Sequence, residues 1–204
     1  MSAQPSRIRQ LISDARDGDA AARDELFQCC RNYVAVVART QVESWMRTKV
    51  DASDLVQQTL LDAHQGFEQF QGTEEGEWLA WLKQILAHNT QDFIRRYRTA
   101  KRAVGKEVSG DRQTESRAGI LENLRESIDS PSQALMAHER ELELADAISR
   151  LSPDHQEVIH LRSLQRLSFN EVAERMGRSR PATQMLWFRA VEKLEEILKE
   201  NSPE

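Results

Sequence analysis

Residues 168–198 read SFNEVAERMGRSRPATQMLWFRAVEKLEEIL, and the punctuation of this stretch decides how the C-terminal part of the chain folds. Ser168, with Glu171 three residues later, is a capping box: hydroxyl and carboxylate satisfy backbone N–H groups that a helix start leaves unpaired. Phe169, Val172, Ala173 and Met176 then recur at helical spacing. Gly177 breaks the pattern and Ser179 opens a longer helix. Two helices of this size around a tight glycine turn make a helix-turn-helix, whose second helix fits a DNA major groove about 12 Å wide.

The second helix has two distinct sides. At about 100° per residue, Thr183, Trp187, Ala190, Val191, Leu194 and Leu198 share one stripe that faces a core. Met185, Phe188 and Arg189 point away from it, Gln184 lies at the border, and Arg178 and Arg180 stand at the N-terminus. A methionine and a phenylalanine turned outward beside arginine mark a surface that something covers, and the basic residues sit where phosphate contacts form. Arg175, Arg178, Arg180, Arg189 and Lys193 are set against Glu192, Glu195 and Glu196, a balance that predicts weak DNA affinity by this part alone. A helical hairpin of a bundle shares this spacing, so these residues by themselves leave both readings open.

Outward from this motif the chain reads as helical throughout. Its 204 residues include 28 Lys+Arg and 33 Asp+Glu, a net charge of -5, with few glycines (8) and prolines (5) and no alternating strand pattern. Long charged side chains are good helix formers and punctuation is scarce, which suits an all-α protein with small cores. A short first helix (Ile8, Leu11, Ile12) is closed by Gly18-Asp19, and a longer one runs from Ala20 to Met46. Asp51 is placed to cap a third helix, Leu55 to Gly66, with Asp54 in its first turn. A fourth spans Glu77 to Arg98. From Lys101 to Ser132 the composition turns to Lys, Arg, Ser, Gly and Glu, which reads as an interdomain linker. Helical periodicity resumes at Gln133, and Ser152-Pro153 is a capping residue followed by proline at the first helical position. The expected architecture is two small helical domains, 7–100 and 133–200, joined by a flexible linker, 101–132.

The fourth helix carries Trp78, Leu79, Leu82, Ile85, Leu86, Phe93 and Tyr97 on an apolar stripe. Its other face holds Lys83, Gln84, His88, Gln91, Arg95 and Arg98, and Lys83–Lys106 contains seven Lys/Arg against one acid, Asp92. Cations beside amides and Trp81 suit single-stranded DNA, through backbone neutralisation and base stacking; a solvated basic face has the same composition. The third helix starts with carboxylates, carries an apolar stripe of Leu55, Leu61 and their neighbours and exposes amides, which fits a docking face for a partner helix or an ordinary capped surface helix.

Taken together, Leu151-Ser152-Pro153 through Leu161-Arg162, Leu167 to Ala173 and Ser179 to Ala190 resemble region four of bacterial RNA polymerase sigma factors, especially the extracytoplasmic-function group. Asp51-Ala52-Ser53-Asp54-Leu55-Val56-Gln57-Gln58-Thr59, with Phe67 and Phe70 after it, resembles their region two. The resemblance implies a sigma factor that binds core RNA polymerase and directs promoter-specific initiation in the cytoplasm. Core polymerase contacts then fall on Asp51, Asp54, Leu55, Gln57 and Gln58. Contacts to the −10 element fall on Lys83, Gln84, His88, Gln91, Arg95 and Arg98, with an unpaired base captured by the loop Gln69 to Gly76. Contacts to the −35 element fall on Arg178, Arg180, Gln184, Met185, Phe188 and Arg189. Promoter DNA, core polymerase and an anti-sigma protein are the implied partners. Two departures stand out: His88 occupies a position where the family commonly has Asn, while Asn89 falls on the buried stripe, and Gln184 and Leu186 stand where the family is often basic. A stand-alone helix-turn-helix regulator with a helical partner-binding domain is the other reading.

Catalysis finds no support. The five histidines have no metal-ligand spacing, and neither a glycine-rich phosphate loop nor a GxSxG elbow occurs. No cofactor, metal or membrane insertion is expected. The adjacent Cys29 and Cys30 face different sides of a helix and read as small core residues.

Overall fold

The computed structural model describes residues 7–41, 52–104 and 131–201, with the backbone alone for 97–104 and 131–139. Every regular element among them is helical: α1 (Arg7–Arg16), α2 (Ala20–Gln41), α3 (Ala52–Gln65), α4 (Glu75–Val104), α5 (Pro131–Ser149), α6 (Pro153–Ile159), α7 (Phe169–Met176) and α8 (Arg180–Asn201). A short 3-10 turn covers Phe67–Gln69, and α6 runs directly into a π-helical turn, His160–Leu164. The expected stretch of α2 from 42 to 46, and Asp51, lie outside the described residues.

Local chemistry sets most boundaries. Gly18 takes φ +96°, a left-handed value that favours a residue without Cβ, and Asp19 then caps α2 by accepting from the backbone N–H groups of Ala21 and Ala22 at 2.8 and 3.1 Å. The Glu77 carboxylate accepts from the N–H groups of Thr73 and Glu74 at 2.8 and 3.1 Å, which starts α4 two residues earlier than the sequence pattern indicates. Ser152 caps α6 with Pro153 behind it, and both bonds of the Ser168–Glu171 box are made. Gly177 closes α7 at φ +62°, ψ +34°. The backbone of α4 continues to Val104 and that of α5 begins at Pro131, so helix enters both ends of the 101–132 segment.

Two apolar clusters hold the molecule. The first joins α1 to α4 around Trp78, fully buried with ring centroids of Phe27, Phe67 and Phe70 at 5.3, 5.9 and 5.1 Å. The Trp78 indole N–H donates to Cys30 Sγ at 3.2 Å, and burial pushes the Cys30 thiol up to about 12. Cys29 is half-buried, and burial raises its thiol as well. Replacing a buried residue like Trp78 by alanine costs on the order of 3–5 kcal/mol. The second cluster comprises Ile148, Leu151, Val158, Ile159, Leu161, Val172, Ala190 and Ile197 with their neighbours.

Helix α5 belongs to both. Leu142 and Ala145 pack into the first cluster and Ala147 and Ile148 into the second, which Val36 of α2 also touches. Polar contacts reinforce this docking. The Tyr33 hydroxyl donates to Glu141 Oε2 (3.0 Å), Asn32 Nδ2 donates to Asp146 Oδ1 (2.8 Å), and Arg39 Nη1 donates to Gln156 Oε1 (3.2 Å). His160 Nε2 lies 2.9 Å from the Arg39 carbonyl oxygen. Burial first, then the Glu141 charge and hydrogen bond, raise the Tyr33 phenol above its ordinary range. The sequence gives α5 apolar positions but not two partners, because its two apolar groups lie on different sides of one helix.

Candidate nucleic-acid and partner interfaces

The helix-turn-helix is assembled by aromatic contacts. Trp187 meets Phe169 edge-on at 5.8 Å and donates its indole N–H to Ser163 Oγ at 3.1 Å, while the Arg162 guanidinium lies 4.6 Å from the Phe169 ring centre. These contacts tie α8 to α7 and to the π-helical turn. The core stripe falls where expected: Thr183 and Ala190 are buried, and Trp187, Val191, Leu194 and Leu198 are half-buried against the cluster. Ile197, also buried, completes it; its spacing of seven from Ala190 was the available signal.

The opposite face of α8 is open. Met185 is 54% and Phe188 59% exposed, the two most accessible large apolar side chains among the described residues. Arg180 and Arg189 are exposed with them, and Gln184 is half-buried at the border. Arg178 is also exposed, yet its guanidinium donates to Asp154 Oδ2 of α6 at 2.6 Å. That contact orients it toward α6. Such a surface, flat, apolar and basic, suits base edges and a thymine methyl flanked by phosphates.

On α4, Gln84, His88, Gln91 and Arg95 are exposed at positions one to three turns apart and so share a face. Asp92 stands among them, 3.4 Å from His88 Nε2 and 3.1 Å from Arg95 Nη2. Lys83 departs from the expected group. It is half-buried, its ammonium lies 3.4 Å from Glu141 Oε2 and 5.4 Å from the Tyr33 ring centre, and α5 thereby occupies it. The Arg98 side chain, like that of Tyr97, lies outside the described residues. Trp81, expected beside the basic face, is half-buried against Phe70 and Trp78 at 5.1 and 5.2 Å. Asn89 faces inward and donates to Asp62 Oδ2 at 2.8 Å, linking α4 to α3.

On α3, Asp54, Gln57 and Gln58 are exposed together, and Gln58 Nε2 donates to Asp62 Oδ1 at 2.7 Å. Leu55 is corrected from a surface contact to a core residue: it is 4% exposed and shares a buried stripe with Val56, Thr59 and Ala63. Leu61, expected on one stripe with Leu55, is instead 51% exposed and lies off the buried stripe. Two further residues reach these surfaces unheralded by any motif: Glu141, which holds Lys83, and Arg16 of α1, which reaches the loop before α4. Among the described residues no cluster of three or more His, Cys, Asp or Glu could hold a metal, and no helix is long and apolar enough to cross a membrane.

Comparison with known proteins adds an independent line. Residues 5–200 match the model of the ECF sigma factor family. The chain is similar to the ECF RNA polymerase sigma factor BldN of Streptomyces coelicolor, 29% identical over 199 residues that cover 97% of this chain and 68% of that protein. It is also similar to the ECF RNA polymerase sigma-E factor of Haemophilus influenzae, 25% identical over 185 residues, 91% of this chain and 92% of that protein. Among solved structures, that of an RsbN–BldN complex covers 91% of this chain and 98% of its own, with 24% identity and a TM-score of 0.32.

Proposed function

The chain belongs to the ECF sigma factor family and, as a sigma factor, binds core RNA polymerase and directs transcription initiation; we propose that it works through the surfaces of α3, α4 and α8. The exposed start of α3, with Asp54, Gln57 and Gln58 and with Asp51 just before it, docks on core polymerase, and Leu61 supplies apolar contact on the same helix. The Gln84–His88–Gln91–Arg95 face of α4, with the loop 69–76, takes the melted −10 element. Arg180, Gln184, Met185, Phe188 and Arg189 of α8 read the −35 element in the major groove, with Arg178 at their edge.

Residues 7–100 and 133–200 act as the two DNA-facing parts, with 101–132 between them. Neither part needs high affinity alone. Docking on polymerase sets both on one promoter, so binding at one element raises the effective concentration at the other. Sigma factors are not enzymes, and this chain contributes binding and strand separation while the polymerase supplies the chemistry in the cytoplasm. The observation that carries this reading is the outward Met185–Phe188 pair beside Arg189 on the second helix of a helix-turn-helix. Purified chain and core polymerase on a genomic template pool are expected to give discrete promoter-specific transcripts whose upstream sequences share two elements. The absence of any such transcript would refute the proposal.

A further inference from the structure

The loop before α4 is clamped from two directions, and one jaw of the clamp reaches it from outside the core. Arg16, the last residue of α1, donates from Nη2 to the carbonyl oxygen of Phe70 at 2.8 Å and to that of Gly72, while its guanidinium lies 5.4 Å from the centre of the Phe70 ring. From the other side the Glu77 carboxylate takes the N–H groups of Thr73 and Glu74. Those bonds hold it below the ordinary carboxylate range, and the Arg16 charge adds to the effect. Gly72 lies so close to the Phe70 ring that a Cβ would come within 2.5 Å of Phe70 Cζ and 2.8 Å of Glu77 Cβ. Four backbone groups between 70 and 74 are therefore directed by two charged side chains, carbonyls toward Arg16 and N–H groups toward Glu77.

Stacking on the Phe70 ring accounts for part of the first jaw but not for its two bonds to backbone carbonyls. Arg16 is exposed, and α1 is already held to the core by Ile8, Leu11, Ile12 and Ala15. A loop left loose would have to be ordered when a base entered it, which weakens capture. We propose that Arg16 is a positioning residue for base capture: it presets the backbone of the 70–72 segment from the end of α1, so that the loop is ready for an unpaired base before DNA arrives. This rests on the reading of loop 69–76 as the −10 capture site.

The test uses complete holoenzyme and single-stranded oligonucleotides carrying the −10 element of a promoter that this holoenzyme uses, with each base replaced in turn by an abasic site. Wild type is expected to show one position where the abasic site costs most. Arg16→Ala is expected to bind the intact oligonucleotide about tenfold more weakly and to lose most of the penalty at that position, with core polymerase affinity and melting temperature unchanged. Arg16→Lys, which keeps the charge but not the planar fork, is expected to fall between. Gly72→Ala, which lifts the loop off Phe70 and with it the carbonyl that Arg16 holds, is expected to reproduce the Arg16→Ala pattern. A full penalty retained in Arg16→Ala, or an equal loss at all positions with a lowered melting temperature, overturns the inference alone. A wild type with no privileged position overturns the reading of the loop and the inference with it.

Discussion

If α4 and α8 engage the −10 and −35 elements together, as proposed, the docking of α5 on α2 and α4 does not persist on a promoter. The −10 and −35 elements lie about 25 base pairs apart, roughly 85 Å at about 3.4 Å per pair. A compact chain of 204 residues has a radius of gyration of about 17 Å and spans roughly half of that distance. Glu141 is the polar centre of the contact, joining the buried Tyr33 hydroxyl and the Lys83 ammonium. Glu141→Ala removes a charged acceptor from Tyr33, worth about 1–3 kcal/mol, and a partly exposed ion pair, worth at most about 1 kcal/mol. With water recovering some of the loss, about 2 kcal/mol remains, or roughly 30-fold in the docking equilibrium. If only the undocked chain engages polymerase, apparent affinity equals intrinsic affinity multiplied by the undocked fraction. Titrating core polymerase into labelled chain, without DNA so that a liberated Lys83 cannot contribute, should then show Glu141→Ala binding up to about 30-fold more tightly. Asn32→Ala, which removes the single bond to Asp146, should move the affinity the same way by about fivefold. Unchanged or weaker binding by both variants, with helicity intact, refutes the link between undocking and engagement.

Further tests address the three surfaces separately. Asp54→Arg should lower core polymerase affinity at least tenfold without changing the melting curve, because Asp54 is exposed; unchanged affinity removes α3 from the interface. Phe188→Ala and Arg189→Ala should each reduce transcription about 5- to 100-fold on promoters that depend on the −35 element and leave stability intact, since both side chains are exposed; equal losses on templates lacking that element contradict the assignment. Acidification should loosen both capped helices. Bonds from Ser168 to the Glu171 carboxylate, and from Glu74 and Thr73 to that of Glu77, lower both groups from 4.5, so their stabilisation is present above the unfolded value and is lost as pH falls through the folded one. Glu171→Gln should flatten the melting temperature against pH below about 4.5 relative to wild type, and parallel curves would show that the box contributes nothing to acid sensitivity.

Legibility in the sequence follows the range of the physics involved. Ser168, Glu171, Gly177, Ser152 and Pro153 act on residues within one turn, and each does in the structure what its type suggests. Outward Met185 and Phe188 were legible because the helical period fixes one face once the other is known. Leu61 misled because the buried stripe of α3 is disguised: it runs through Leu55, Thr59, whose hydroxyl bonds to the Leu55 carbonyl at 2.8 Å, and the small Ala63, while the larger Leu61 lies outside it. Contacts between residues far apart in the chain left no trace. Nothing periodic announces that Glu141 meets Lys83, that Arg16 reaches Phe70, or that Asp154 holds Arg178.

Those pairings also explain how an acidic chain serves as a DNA-binding protein. Lys83 is matched by Glu141, Arg95 by Asp92, and Arg178 by Asp154, so three of the cations expected from the sequence to face DNA each lie within 4 Å of a carboxylate. A phosphate approaching the free chain must displace those partners before it gains the cation, and exposed pairs of this kind are weak enough to yield to a well-placed phosphate while discouraging random ones. Lys83 differs from the rest because its carboxylate arrives on α5. If α5 opens away from α4, one movement has two effects: it separates the parts proposed to reach two promoter elements, and it uncovers a lysine at the edge of the proposed −10 face. On that reading polymerase binding and DNA affinity are coupled through Glu141, and the net charge of -5 helps to keep the free protein off DNA.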